Sequence, residues 1–262
     1  MKNFVKKGKS IGEIVYKTDN LLIEKIQEGN ECDKCYIIGT GYSLSVDDND
    51  LVSSHDPFMD KFSIDIDKNI TAFSFYFTFE SSGLGESSKE LANFINNLDN
   101  KYKNIYLIGQ SKCGICAYNA SHYCDKDITL VTISAPFKGT PTADLECIKE
   151  RLKHNVLRLF YDNMFSNHNV DKDIIPNSKL LNSLEKPKYK EHINITSRIS
   201  SLKDCKSISD YFLYYWDKAL KLNGDGVVPY DSQLIDSTKT INIISSHAHS
   251  LERGIRELEK MV

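Results

Sequence analysis

Residues 104–120, NIYLIGQSKCGICAYNA, constrain the fold more than any other stretch of this 262-residue chain. Ile105, Tyr106, Leu107 and Ile108 form an unbroken apolar run, which enters Gly109-Gln110-Ser111 and leaves as small and apolar residues at helical spacing. A buried strand, a tight turn and a helix produce this pattern. Ser111 stands at the apex. So sharp a turn strains the backbone of its apex residue, and small neighbours let strand and helix pass close together. Glycine-serine turns also occur with no chemistry attached, so the rest of the chain must decide what Ser111 does.

The flanking sequence places this unit in an alternating array. Residues 11–27 read as two short strands around Asp19-Asn20, a hairpin or peripheral pair. The run Cys35, Tyr36, Ile37, Ile38 predicts a strand that leads into Gly39-Thr40-Gly41, where backbone N–H groups can face a ligand or simply turn the chain. Residues 46–69 are polar and acidic and read as a solvated loop; Asp47, Asp48 and Asp50 lack the glycine and terminal glutamate of a calcium loop. Residues 70–78 predict a central strand. Residues 80–86 break it, and 88–98 place Leu91, Ala92, Phe94, Ile95 and Leu98 on one helical face. Further strands are predicted over 128–134, 192–199 and 239–245, with a closing helix over 251–261.

Strands alternating with helices imply an α/β fold, a mostly parallel sheet with helices on both faces. Ligands bind such sheets beyond the carboxyl ends of the strands, where Ser111, the Gly39 loop and the Pro136 loop all fall. Residues 143–189 interrupt the alternation with an apolar helical stripe (Leu145, Ile148, Leu152, Val156, Leu159, Phe160) and then a polar run. The chain is expected to be one domain over 1–262, with 143–189 as a cap or lid insertion; an apolar helix face is also what ordinary core packing needs. The aromatic run 211–216 reads as packing rather than as a cofactor box.

A net charge of −3 gives no electrostatic case for nucleic acid or an anionic membrane. The basic N-terminus lacks the apolar run of a signal peptide and no segment approaches a spanning length, so a soluble, cytoplasmic protein with no transmembrane segment is expected. Seven cysteines without an export signal favour reduced thiols. Cys32-x-x-Cys35 and Cys113-x-x-Cys116 have zinc-like spacing, but one pair precedes a strand and the other follows one, at opposite ends of a parallel sheet. The expected role is small buried side chains, with no metal.

A serine hydroxyl is a weak nucleophile and needs a histidine to take its proton and a carboxylate to orient the imidazole. The chain offers these groups after successive late strands, in the order Ser111, Asp225, His247. Here it resembles the lipase and esterase branch of the α/β-hydrolase superfamily, close to bacterial triacylglycerol lipases. IYLIGQSKCG is similar to the nucleophile elbow G-x-S-x-G, VTISAPFKGTP to the strand and loop often written V-T-I-A-T-P-H-R-G-T-P, GDGVVP to the acid loop, and SSHAHSL to the terminal histidine turn. In that turn a leucine commonly lies four positions after the catalytic histidine, which selects His247 with Leu251 and leaves His249 as runner-up base.

The resemblance implies an α/β-hydrolase fold and a serine hydrolase for a small-molecule ester or lipid, with no cofactor. Ser111 is the implied nucleophile, Asp225 the acid and His247 the base, and the backbone N–H groups of Thr40 and Lys112 are the implied oxyanion donors. An acyltransferase on the same fold and a non-catalytic hydrolase-like binding protein stand as alternatives. This sequence departs from the family at Ile38-Gly39-Thr40-Gly41, where H-G-x-G is usual, and at Cys113, where the elbow has glycine. A cysteine there must fit between helix and strand, and a regulatory thiol is the alternative reading. Lys112 in place of an apolar residue implies a more polar floor or a nearby carboxylate.

Overall fold

The apolar runs pair as the alternation requires. The computed structural model describes residues 2–6, 12–30, 33–41, 44–46, 52–54, 61–64, 66–78, 81, 83–153, 172–187 and 189–261. Its strands are β1 (Lys2–Lys6), β2 (Glu13–Lys17), β3 (Leu21–Gln27), β4 (Lys34–Gly39), β5 (Leu44–Val46), β6 (Val52–Ser54), β7 (Lys61–Ile64), β8 (Thr71–Thr78), β9 (Asn104–Gln110), β10 (Ile128–Ile133), β11 (Glu191–Arg198) and β12 (Lys239–Ile244). Its helices are α1 (Leu84–Asn96), α2 (Lys112–Tyr123), α3 (Leu145–Arg151), α4 (Lys179–Asn182), α5 (Ile208–Leu220) and α6 (His247–Glu259). None of the described helices is long and apolar enough to cross a membrane.

The main sheet runs β12-β11-β10-β9-β4-β8-β3-β2, with β5 and β6 attached beside β8. From β8 to β12 every neighbouring pair is parallel. The hairpin of β2 and β3 is added antiparallel, through β3 on β8. Period-two alternation then sends successive residues to opposite faces. Ile37 and Leu107 pack under α1 and α2 with Leu91, Ile95, Ile115 and Ala117, while Ile38 and Ile108 pack under α6 with Leu251, Ile255 and Leu258. Helices on both faces explain why the parallel strands read as continuous apolar runs.

Four expectations need adjustment. The hairpin is not wholly peripheral, because Leu21, Leu22 and Ile23 of β3 are fully buried. Residues 46–69 are not all loop: β6 and β7 lie within them, held by backbone pairing to β5 and β1, which leaves no apolar run to read. The first helix starts at Leu84 rather than Ser88, because Asp173 from the insertion accepts a hydrogen bond from Leu84 N at 2.7 Å and caps the early turn. The last helix starts at His247 itself. Cys32, the acidic run 47–50 and Val156, Leu159 and Phe160 fall outside the described residues. Of the insertion stripe, Ile148 and Leu152 pack with Trp216, Leu220 and Leu222 in a small cluster of their own, with Phe212 stacked on Trp216.

Candidate active site

The site forms where parallel strands end together. Gly39 of β4 lies opposite Gly109 of β9, and Gln110 opposite Ile133 of β10, so the chain leaves all three at one edge. Ser111 then turns with φ 54° and ψ −129°, backbone that a residue with a Cβ rarely adopts. Its own N–H donates to Ile133 O at 2.9 Å, and Gly114 N donates to Ser111 O at 2.9 Å, which holds the turn from both sides. Glycine is required at two places. A Cβ on Gly109 would sit 2.3 Å from Cys113 O, and one on Gly114 would sit 2.6 Å from the Ala135 Cβ.

The close pass that the elbow needs is thus made at Gly109 and Gly114. Cys113 does not obstruct it: the side chain is buried, with Sγ 3.8 Å from Gly41 O. Gly41, at φ 86°, approaches Ser111 so closely that a Cβ there would lie 3.1 Å from the serine Cβ. Ser111 is buried, and among the described residues its Oγ has no hydrogen-bond partner.

Asp225 and His247 are brought together. The Asp225 side chain is 0% exposed, and its Oδ2 lies 2.8 Å from His247 Nδ1. Oδ1 accepts from Val227 N at 3.1 Å and Val228 N at 2.8 Å, while Oδ2 also accepts from Ser197 Oγ at 2.8 Å. Four donors on a buried carboxylate keep its charge satisfied without water. His247 N donates to Asp225 O at 2.9 Å, so backbone and ring are fixed to the same residue. With Nδ1–H committed to Asp225, Nε2 is left as the basic nitrogen. Among the described residues, no hydrogen bond joins Ser111 Oγ to it.

The turn that carries His247 is gripped from two directions. Gln110, immediately before Ser111, donates from Nε2 to His247 O at 2.7 Å and to Ser250 Oγ at 2.8 Å. Asp210, in the capping box of α5, accepts from Lys206 N at 2.8 Å and Ser207 N at 3.0 Å through Oδ2, and from Ser246 Oγ through Oδ1. Burial raises the Asp210 pKa, but these donors and the His249 ring outweigh it and leave the net shift downward. His249 Nε2 stands 3.2 Å from Ser207 Oγ and 3.7 Å from Asp210 Oδ1, so its ring is engaged at the start of α5.

Thr40 follows β4 directly and is buried, and Lys112, directly after Ser111, opens α2. Lys112 Nζ lies 4.6 Å over the Phe77 ring, so the lysine contacts an aromatic face beside the elbow. Beneath the acid turn, Asp217 accepts from Gly224 N at 2.7 Å, and its Oδ2 stands 3.7 Å from Lys218 Nζ. Burial first, and then the neighbouring Asp225 charge, push the Asp217 carboxyl upward, only partly offset by Gly224 N and Lys218.

Sequence reasoning missed Gln110, Ser134, Ser197, Asp210, Asp217 and Gln233. Asp210, Asp217 and Gln233 lie on helical segments, while for Gln110, Ser134 and Ser197 the signal was a polar letter inside an apolar strand or at its end, as in IGQS, VTIS and INITS. It went unread because a polar strand residue is ordinarily a solvent-facing one. The thiols follow the packing reading. Cys35, Cys116 and Cys124 are buried, and burial pushes each thiol up to about 12.

No family model and no curated protein matches this sequence. Among solved structures, the mature form of Bacillus licheniformis lipase BlEst2 is similar with a TM-score of 0.57 at 12% identity, covering 94% of this chain and 98% of that chain. The propeptide form of that lipase gives a TM-score of 0.57 at 11% identity, covering 94% of this chain and 53% of that chain. Identity so low speaks to fold alone. The strand order, the flanking helices and this likeness agree: the chain has the α/β-hydrolase fold seen in lipases and esterases.

Proposed function

We propose that the protein is a serine hydrolase of carboxylic esters that works through an acyl-enzyme on Ser111. The observation that carries this reading is the buried Asp225 carboxylate, which holds His247 Nδ1 at 2.8 Å on the sheet edge where Ser111 is strained into its turn. Ser111 Oγ attacks the ester carbonyl carbon and passes its proton to His247 Nε2. The oxyanion that forms accepts hydrogen bonds from the N–H groups of Thr40 and Lys112. Collapse expels the alcohol, protonated by His247, and water then repeats the sequence to release the acid. Losing one oxyanion donor typically costs about 2.7–4 kcal/mol of barrier, so the placement of residues 40 and 112 matters as much as the serine.

In this reading 143–189 is the cap. The residues that lead into it are tied to the acid turn, since Thr140 Oγ1 at 2.5 Å and Thr142 Oγ1 at 3.0 Å both donate to Val227 O. The test is a fluorophosphonate probe followed by a panel of esters of increasing chain length. Wild type is expected to label at Ser111 and to cleave esters, whereas folded Ser111→Ala is expected to do neither. A wild-type protein that stays unlabelled, or a Ser111→Ala protein that cleaves esters as fast as wild type, rejects the reading.

A further inference from the structure

Asp225 Oδ2 serves two donors, and only one of them belongs to the triad. His247 Nδ1 and Ser197 Oγ both approach that oxygen at 2.8 Å. An ionised carboxylate accepts and cannot donate, so the single Ser197 hydroxyl proton is committed to Asp225. Ser134 Oγ lies 2.5 Å from Ser197 Oγ, and with that proton committed Ser134 must be the donor of the pair. The result is a buried chain of hydroxyls, Ser134 to Ser197 to Asp225, in which every member is 0% exposed.

The backbone secures this chain at some cost. Ser134 has φ 51°, a conformation that strains a residue with a Cβ, and its N–H donates to Ile195 O at 2.9 Å. Glycine would relieve the strain but would remove the hydroxyl. Ser197 is clamped at both backbone groups by one side chain: its N–H donates to Gln233 Oε1 at 2.7 Å, and Gln233 Nε2 donates to Ser197 O at 3.0 Å. The same Nε2 reaches Val228 O at 3.1 Å in the acid turn, so Ser197 and Asp225 are held in one rigid unit.

We infer that Ser197, backed by Ser134, is a positioning residue that sets how strongly Asp225 holds the His247 ring. A hydroxyl donated into Oδ2 takes up part of the carboxylate charge that otherwise stabilises the imidazolium. Without it, His247 stays protonated to higher pH and Ser111 loses its base over that range. The inference rests on the proposed roles of Asp225 and His247. The other charged groups around them keep their own partners: Asp217 of α5 has Lys218, and Asp210 of α5 has His249 of α6.

The test is the rate of fluorophosphonate labelling against pH in wild type and Ser197→Ala, with the His247 ring titration followed by NMR in both. In Ser197→Ala the pH of half-maximal labelling and the NMR midpoint are expected to move up together, by roughly half a pH unit, with the high-pH plateau retained. Ser134→Ala is expected to shift both the same way by less. A folded Ser197→Ala protein whose midpoints do not move, or which loses rate equally at every pH, overturns the inference. If wild type never labels, the proposed function has failed, and the NMR midpoints alone decide this point. If Ser197→Ala does not fold, Ser134→Ala decides it: an upward shift sustains the chain of hydroxyls and an unmoved midpoint removes it.

Discussion

His247 and His249 lie two residues apart on one helical turn, yet their rings meet different groups. His247 Nδ1 is held by a fully buried carboxylate, while His249 Nε2 faces Ser207 and Asp210 at the start of α5. One arrangement fixes a tautomer and leaves a basic nitrogen at the sheet edge. The other secures the entry to a helix. Against an activated ester, His247→Ala is expected to lower kcat/KM by roughly a thousandfold, and His249→Ala to stay within about tenfold of wild type. The reverse pattern would transfer the role of base to His249. The leucine offset points to His247, and its proposed role rests on the Asp225 contact, which no linear spacing contains.

At the scale of elements, the elbow is a steric problem solved by glycines at 109 and 114. The usual motif has its second glycine at 113; here the tight contact falls one residue later, where Gly114 meets the Ala135 Cβ. Gly114→Ala is expected to destabilise the protein by about 1–3 kcal/mol in urea unfolding. Adding Ala135→Gly should recover a good part of that loss, because it removes the atom the new methyl strikes. A single variant as stable as wild type would show that the strand and helix can move apart. The start of α1 carries the complementary lesson: residues 80–86 look like a break, but Asp173, 89 positions later, caps Leu84.

At the scale of the molecule, β10 and β11 carry a polar ladder through the core. Thr132 Oγ1 lies 2.8 Å from His192 Nε2 and donates to Asn194 Oδ1 at 2.9 Å, and Asn194 Nδ2 donates to Gln233 O at 2.9 Å. His192 is 0% exposed among Tyr118, Phe137 and Tyr189, and burial lowers its pKa to about 4 against the weaker opposing pull of Asp236. Because the folded-state value lies below the unfolded one, this residue's stability term is intact above about pH 6.5. The term is lost as pH falls toward 4, since the unfolded chain binds the proton first. Full protonation costs about 3 kcal/mol. The urea midpoint should therefore drop between pH 6.5 and 4 by more in wild type than in His192→Gln, and parallel losses would remove His192 as the cause.

The parallel core of the sheet was legible in linear order, because short apolar runs bounded by turn residues suit strands buried on both faces and the helices between them force parallel crossovers, whereas β6 and β7 carry no such run. That order also brought the Gly39 loop, Ser111, Asp225 and His247 to one edge, since parallel strands all end on the same side. Tertiary structure alone decided which groups touch. That Gln110 grips the His247 turn, that Ser197 shares an oxygen of Asp225 with His247, and that His249 faces Asp210 all depend on pairs 28 to 140 positions apart in the chain. Such contacts are set by three-dimensional distance and by the need of each buried polar atom for a partner, and neither leaves a periodic trace in the sequence.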